Sequence, residues 1–478
     1  MPDYPELKLF INGAWRATSE TEPVLNPFDG SVIGGTPVAN TSDLDDALNA
    51  AERGFKVWSR TPAGERAAIL MRAAAIIRER ADEIAYCNTL DMGKPLGDSR
   101  AEVMRCGKIL EWDAAESLRM YGRVIEGPAG YRNTVFRQPI GPVAAFSTWN
   151  FPVSTAMRKI ASALAAGCAL ILKAPEDTPS GAFHVTRVFR EAGLPDGVLN
   201  LVYGVPDQIS SYLIPQDRIR LVTFTGSTAI GHHLNKMAAD HMKPVLMELG
   251  GHAPVIVCDD VDPAQVATLG AARKYRNSGQ VCTSPTRFYV SEGQVEAFTE
   301  AFLTKARSVV VGNGLDPATE MGPLVHERRV TAMSALVTDA VDQGAELLLG
   351  GKRRGNTGFY FEPTVLANVP DSARIMQDEP FGPIAILNTM SSLDDGIAKA
   401  NRLPFGLAAY GFTNSAANID QMVREVEAGQ LSLNTFDTSL PETPFGGVKS
   451  SGFGREGGAE GLNHYTVVKN VGHKSVIG

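Results

Sequence analysis

RNSGQVCTSPTRF, from Arg276 to Phe288, holds one thiol, Cys282, between a Gly-Gln turn and a Ser-Pro. Such a cysteine is either a small buried hydrophobe or a nucleophile, and the rest of the chain has to decide which. Other chemically equipped residues follow short apolar runs. Trp149 and Asn150 come after VAAFS, Lys173 and Glu176 after CALIL, and Gly226, Ser227 and Gly231 after RLVTF. In an open parallel sheet ligands sit beyond the carboxyl ends of the strands, so these three loops together suit a dinucleotide. Gly226 lets the backbone approach a pyrophosphate, Ser227 offers a hydroxyl, and a helix starting near Thr228 adds its positive end. Each loop also has a plainer reading: Ser227 as an ordinary N-cap, Lys173 and Glu176 as solvated charges, Asn150 as a turn-former before Phe151-Pro152. Glu248 closes an apolar run and is followed by two glycines that would let it swing; otherwise it is an exposed carboxylate at a strand end.

The elements that must position these residues follow from periodicity. From Asp43 to about Tyr121 apolar residues recur at three- and four-residue spacing, which predicts helices, with DMGKPLGD (Asp91 to Asp98) punctuating two of them. YRNTVFRQPIGP alternates like an exposed strand and predicts a hairpin outside the main body. After Pro142 short apolar runs (VAAFS, CALILK, GVLNLVYG, RLVTFTGS, KPVLMELGG, PVIVCDD) alternate with helical segments, and a helix from Pro263 to about Asn277 delivers the chain to Cys282. A second such rhythm runs through FLTKARSVVVG, DQGAELLLGG, FYFEPTVLANV and FGPIAILNTM, giving two α/β lobes. GLNHYTVVKNV alternates as a final strand that, like the hairpin, is free to pair with another subunit.

Composition narrows the function classes. A chain of 478 residues exceeds one ordinary core, and 44% hydrophobic with 21% charged residues predicts order nearly throughout. The net charge of −8 disfavours nucleic acid, which needs a basic footprint. Five scattered cysteines without metal-type spacing suggest reduced thiols in a cytosol and no metal site. The early acidic residues and prolines do not form an export signal, and the run Ile160 to Leu172 is too short to span a membrane. No GxGxxG stands in the right place, and GGVKSSG from Gly446 has Val448 where a P-loop needs glycine, which argues against nucleotide hydrolysis.

TWNFP, FTGSTAIG, MELGG, GQVC, EPFGP (Glu379 to Pro383) and PFGGVKSSGFGRE (Pro444 to Glu456) stand in the order and spacing typical of the aldehyde dehydrogenase superfamily, and the resemblance spans essentially the whole chain. It implies a Rossmann-like cofactor domain (1–119 and 141–251), a catalytic domain (252–448) and a small β bridging domain (120–140 and 449–478) that joins subunits into a homodimer or homotetramer. By the same resemblance Cys282 is the nucleophile that makes the aldehyde carbon tetrahedral, and Asn150 with the Cys282 N–H is the oxyanion hole. Glu248 is the base that activates water to hydrolyse the thioester, and its retention favours a free acid over a coenzyme A ester. Cofactor contacts fall on Trp149, Lys173, Glu176, Gly226, Ser227, Gly231, Leu249, Glu379 at the nicotinamide ribose and Phe381 beside the ring. Glu176 matches the carboxylate that receives adenosine ribose hydroxyls and repels a 2′-phosphate, which implies NAD, although some members with this residue also use NADP.

Arg158, eight residues after Asn150, and Arg276, six before Cys282, match arginines that hold the distal carboxylate in succinate-semialdehyde dehydrogenases, and Ser439 falls where those enzymes add a hydroxyl. Arg158 is otherwise a solvated helix residue, and Arg276 a cation complementing a helix C-terminus. Many such enzymes carry a second cysteine two residues after the nucleophile; here it is Ser284, so a local disulfide switch is absent. The expected activity is therefore oxidation of a carboxylate-bearing aldehyde, with a broad-specificity aliphatic or aromatic aldehyde dehydrogenase as the alternative. A cysteine hydrolase lacks a recognisable histidine partner, and an inactive crystallin-like protein would be expected to have lost Cys282 or Glu248.

Overall fold

The computed structural model describes residues 3–475. Two sheets carry the lobes. The first runs, edge to edge, Ala14–Arg16, Leu9–Ile11, Leu199–Val202, Leu170–Lys173, Val143–Phe146, Leu221–Thr225, Val245–Glu248, Gly452–Phe453. Its five central strands are parallel and almost wholly apolar, as strands covered by helices on both faces must be. The chain moves outward from Val143–Phe146 in one direction, then returns to lay Leu221–Thr225 on its other side. That reversal is a topological switch point, where the loops after adjacent strands part and leave a crevice.

The second sheet has the order Glu346–Leu349, Thr364–Ala367, Ile384–Met390, Arg287–Ser291, Pro254–Val257, Ala408–Phe412, Gln430–Leu433, antiparallel only at its first strand. A third, small sheet pairs the final strand Thr466–Lys474 with Tyr131–Pro139 over nine residues, and Arg123–Glu126 completes it. Its surface bears Val124, Ile125, Phe136, Val468 and Val471, all exposed.

The predicted helical region resolves into Thr41–Trp58, Ala63–Glu79, Ala81–Met92 and Leu96–Ser117. Asn40 and Asp43 form a reciprocal capping box at the first, and left-handed Gly93 ends the third inside the predicted break. Three expectations need correction. FLTKARSVVVG contributes no strand: Val295–Ser308 is a helix and the valines beyond it make a single bridge, Val311 to Met321. The helix before Cys282 stops at Tyr275, because Arg276 is extended at ψ 135° and Asn277 and Ser278 are left-handed. The segment from 449 does not belong wholly to the third sheet, since Gly452–Phe453 first pairs with Val245–Glu248 at the edge of the cofactor-type sheet.

Candidate active site

A cavity of about 550 Å³ opens between the carboxyl ends of the first sheet and the amino ends of the second. Of the residues singled out in the sequence, Trp149, Asn150, Arg158, Gly226, Ser227, Glu248, Leu249, Arg276, Cys282, Glu379, Phe381 and Ser439 line it. Lys173, Glu176 and Gly231 do not. Lys173 donates to Glu176 at the end of its strand, so the two charges form a partly buried pair with each other instead of a solvated edge. Gly231 is a packing glycine: a Cβ there would lie 2.2 Å from the Leu249 side chain, so its absence lets the Thr228–Asp240 helix close on the strand loop.

Cys282 is held by its own loop. Asn277, Ser278 and Gly279 are consecutive left-handed residues, and a Cβ on Gly279 would stand 2.1 Å from the Gly382 carbonyl oxygen. Ser278 Oγ donates to the Gly322 and Pro323 carbonyls, and the Tyr410 hydroxyl donates to Thr283 O at 2.6 Å. Strain of this kind persists only where surrounding structure enforces it. The other four cysteines are buried, while Cys282 is partly open to the cavity. Burial, with the negative fields of Glu379 and Glu248, pushes its thiol up to about 12. It rests protonated at neutral pH, so a positive charge or a base must arrive before it reacts.

Asn150 is buried, and its Nδ2 donates to Gln280 O at 3.1 Å, which leaves the second hydrogen of that amide to spare. Lys94, fully buried, donates to the Asn150 carbonyl at 2.9 Å and to Glu102 at 2.6 Å, and Glu102 in turn accepts the Val153 and Ser154 N–H groups at the start of the Pro152–Ala166 helix. Neither Lys94 nor Glu102 was singled out in the sequence. The Gly-Lys-Pro break pointed to a turn and gave no sign of a buried ammonium.

Glu248 is 3% exposed and neither carboxylate oxygen has a hydrogen-bond partner. Burial first, and then the neighbouring Glu456, hold its carboxyl well above the usual range, which favours the protonated form. The two glycines after it are not a swivel. Neither takes a left-handed conformation; a Cβ on Gly250 would meet Glu379 Oε2 at 2.5 Å, and one on Gly251 would meet the Cys282 carbonyl oxygen at 2.8 Å. They admit Glu379 and the Cys282 loop. Glu379 accepts the Gly251 N–H at 3.1 Å and is raised to about 7 by burial.

The crevice suits a dinucleotide. Ser227 stands as the N-cap of Thr228–Asp240 without bonding the helix, so its hydroxyl is free, and Thr225 Oγ1 and Thr228 Oγ1 are buried without partners. Polar atoms left so at a helix start await an acceptor-rich ligand. Phe381 is left-handed at φ 46°, its carbonyl held by Arg329 at 3.0 Å, and its ring meets Trp149 edge-on at 5.3 Å.

At the opposite end Arg158 donates to Ser439 Oγ at 2.8 Å, lies over the Phe445 ring, and keeps Nη1 buried without a partner. Arg276 pairs with Asp98 at 3.2 Å, so it is neither a free helix-end cation nor part of the helix. Two further arginines, Arg105 and Arg273, share this wall. Arg273 lies in the last turn of the Pro263–Tyr275 helix, three residues before Arg276, and its nearness to that arginine in the sequence could have flagged it. Arg105, inside an amphipathic helix, carried no signal.

Cysteine, amide and carboxylate gathered on one cavity beside a dinucleotide crevice define an aldehyde-oxidising class, and the aldehyde dehydrogenase family model matches residues 15–471; the chain belongs to that family. Among individual proteins, it is 42% identical to 4-(hydroxymethyl)benzenesulfonate dehydrogenase of Comamonas testosteroni, over 97% of each chain. It is 37% identical to the NADP-dependent succinate-semialdehyde dehydrogenase of Escherichia coli, over 96% of each. The NAD-dependent aldehyde dehydrogenase of Sinorhizobium meliloti superposes with a TM-score of 0.96 at 33% identity, over 98% of this chain and 95% of that one.

Proposed function

We propose that this enzyme oxidises an aldehyde with an anionic far end, such as succinate semialdehyde, to the free acid, using NAD in preference to NADP. The observation that carries the reading is the single cavity with Cys282, Asn150 and Glu248 on its walls and a cluster of arginines at one end. With its thiol proton passed to solvent, Cys282 Sγ adds to the carbonyl carbon, and the developing oxyanion accepts hydrogen bonds from the spare N–H of Asn150 Nδ2 and from the Cys282 N–H. The bound nicotinamide supplies the hydride acceptor, held by the Ser227 loop, Leu249, Glu379 and Phe381. What remains on Cys282 is a thioester. Glu248, once ionised, takes a proton from the water that cleaves it, and the acid leaves with the thiol regenerated. Overall, aldehyde, oxidised cofactor and water give acid, reduced cofactor and protons.

The cofactor is a nicotinamide dinucleotide of the NAD(P) type. The preference for NAD rests on Glu176, whose carboxylate, paired with Lys173 at the strand end, would repel a 2′-phosphate brought to that position. Two of the relatives cited are named for substrates with an anionic group, a carboxylate in one and a sulfonate in the other, which supports the anionic far end. The exposed apolar third sheet supports assembly with a second copy, and the division into cofactor, catalytic and bridging domains is retained with Gly452–Phe453 moved to the first.

The test is a panel of semialdehydes and uncharged aldehydes with each cofactor, followed at 340 nm. Wild-type enzyme is expected to prefer succinate semialdehyde to butanal, and Arg276→Ala to cut that preference by about one to two decades, the worth of a charge-assisted hydrogen bond. A wild-type preference for butanal would remove the anionic substrate.

A further inference from the structure

The arginine end of the cavity has more donors than a carboxylate can use. A carboxylate offers one O–C–O edge to a guanidinium fork, with two oxygens and about four acceptor directions in all. Arg158, already turned by Ser439, and Arg276, turned by Asp98, would occupy them. Arg105 and Arg273 would then face the cavity with nothing to bind, since neither makes a side-chain hydrogen bond or ion pair among the described residues.

Nearby carboxylates make no ion pair with them, and only Glu102 offsets the Arg105 charge, through space. Glu102 is committed to Lys94 and to two helix N–H groups, and Glu456 to Lys159, so Asp98 alone is ion-paired to the cluster. The crowding has an electrostatic signature: burial, then Arg276, Arg158 and Arg273 in turn, make the positive charge of Arg105 harder to hold. Cations gathered against one another in a half-buried wall are costly unless an anion is expected. A three-oxygen tetrahedral anion has three O–X–O edges pointing different ways, and guanidiniums arriving from separate elements, Leu96–Ser117, Pro152–Ala166 and the end of Pro263–Tyr275, approach it from different sides.

We propose that Arg105 and Arg273 make the distal end of this cavity a site for a tetrahedral trioxo anion, so that the preferred aldehyde carries a sulfonate or phosphonate where a semialdehyde carries a carboxylate. This rests on the anionic-aldehyde reading above and sharpens it. Arg105 and Arg273 become specificity-determining residues, acting on the far end of the substrate and not on the reacting carbon.

The experiment compares kcat/KM for succinate semialdehyde, 3-sulfopropanal, 3-phosphonopropanal and butanal, in wild type and in Arg105→Gln and Arg273→Gln. Wild type is expected to favour at least one tetrahedral anion over succinate semialdehyde by tenfold or more, and each variant to cut that ratio at least tenfold. A ratio within one preparation cancels losses of folded enzyme. Sulfonate carries one charge and phosphonate up to two, so their order tells which head group the site fits. Equal or better use of succinate semialdehyde by wild type, or ratios unmoved within twofold in the variants, overturns the proposal while leaving the anionic reading standing. Preference for butanal over all three anions overturns both.

Discussion

At the residue scale, burial biases the site toward its uncharged form. Cys282 rests as a thiol, and the Glu248 carboxyl is pushed in the same direction, each by burial before any neighbouring charge. Cys282→Ala should cut oxidation at least about a thousandfold while dinucleotide binding, measured by fluorescence titration, persists. Glu248→Gln should leave a stoichiometric burst of reduced cofactor followed by turnover slowed about 10²- to 10⁴-fold, seen by stopped flow. Because its folded pKa is raised, Glu248 is protonated on the acid side, so hydrolysis quickens as pH climbs through that value. The glutamine variant should lose this rise. The thiol, amide and carboxylate that line the cavity were readable from short motifs, for they differ in kind from packing residues. Lys94 and Glu102 were not readable, because a buried ion pair leaves no periodic trace and only the fold brings Lys94 to the Asn150 carbonyl.

At the scale of the element, the rule that ligands lie beyond carboxyl strand ends located only half the site. It found Trp149, Asn150, Gly226 and Ser227. It could not find Cys282 or Glu379, which stand before Arg287–Ser291 and Ile384–Met390, because the second sheet presents its amino ends to the cavity. Cys282 stood out only as a lone thiol in its loop, and Glu379 came from motif resemblance alone. The left-handed turn at 277–279 was likewise invisible, since Asn-Ser-Gly suits many turns and only contact with Gly382 selects this one. Gly279→Ala should lower stability by about 2–5 kcal/mol in urea unfolding, because its Cβ meets a backbone carbonyl that has no side-chain freedom to yield. Modification of Cys282 by iodoacetamide should change in rate with it. An unaltered midpoint and rate would show that the turn does not hold the nucleophile.

At the scale of the whole molecule, three buried carboxyls outside the thioester chemistry, Asp91, Asp113 and Glu379, are each raised to about 7 by burial. The unfolded chain titrates them near 4, so their contribution is complete below that pH and is lost as pH rises through about 7. Their share of stability should therefore be lost between about pH 4 and 7, against the opposite drift of the buried His184 and His252, whose pKa values burial depresses; the melting-temperature difference between wild type and Asp113→Asn should move in the variant's favour across that window. The lobes and the outlying hairpin were legible because parallel and exposed strands differ in pattern; the grouping of the last strand with residues over three hundred positions earlier came from the family resemblance alone, since nothing local encodes a partner. Val468→Asp, on the exposed face of that sheet, should yield smaller species in sedimentation velocity if a second copy covers it. The same long-range pairing has a consequence for synthesis. Until residues 452–474 leave the ribosome, the strand that ends in Glu248 is a bare sheet edge and the hairpin lacks its longest partner. A nascent chain thus waits for this late segment before either edge is sealed, and during that wait it exposes template for pairing with other chains, the interval in which chaperones would matter most.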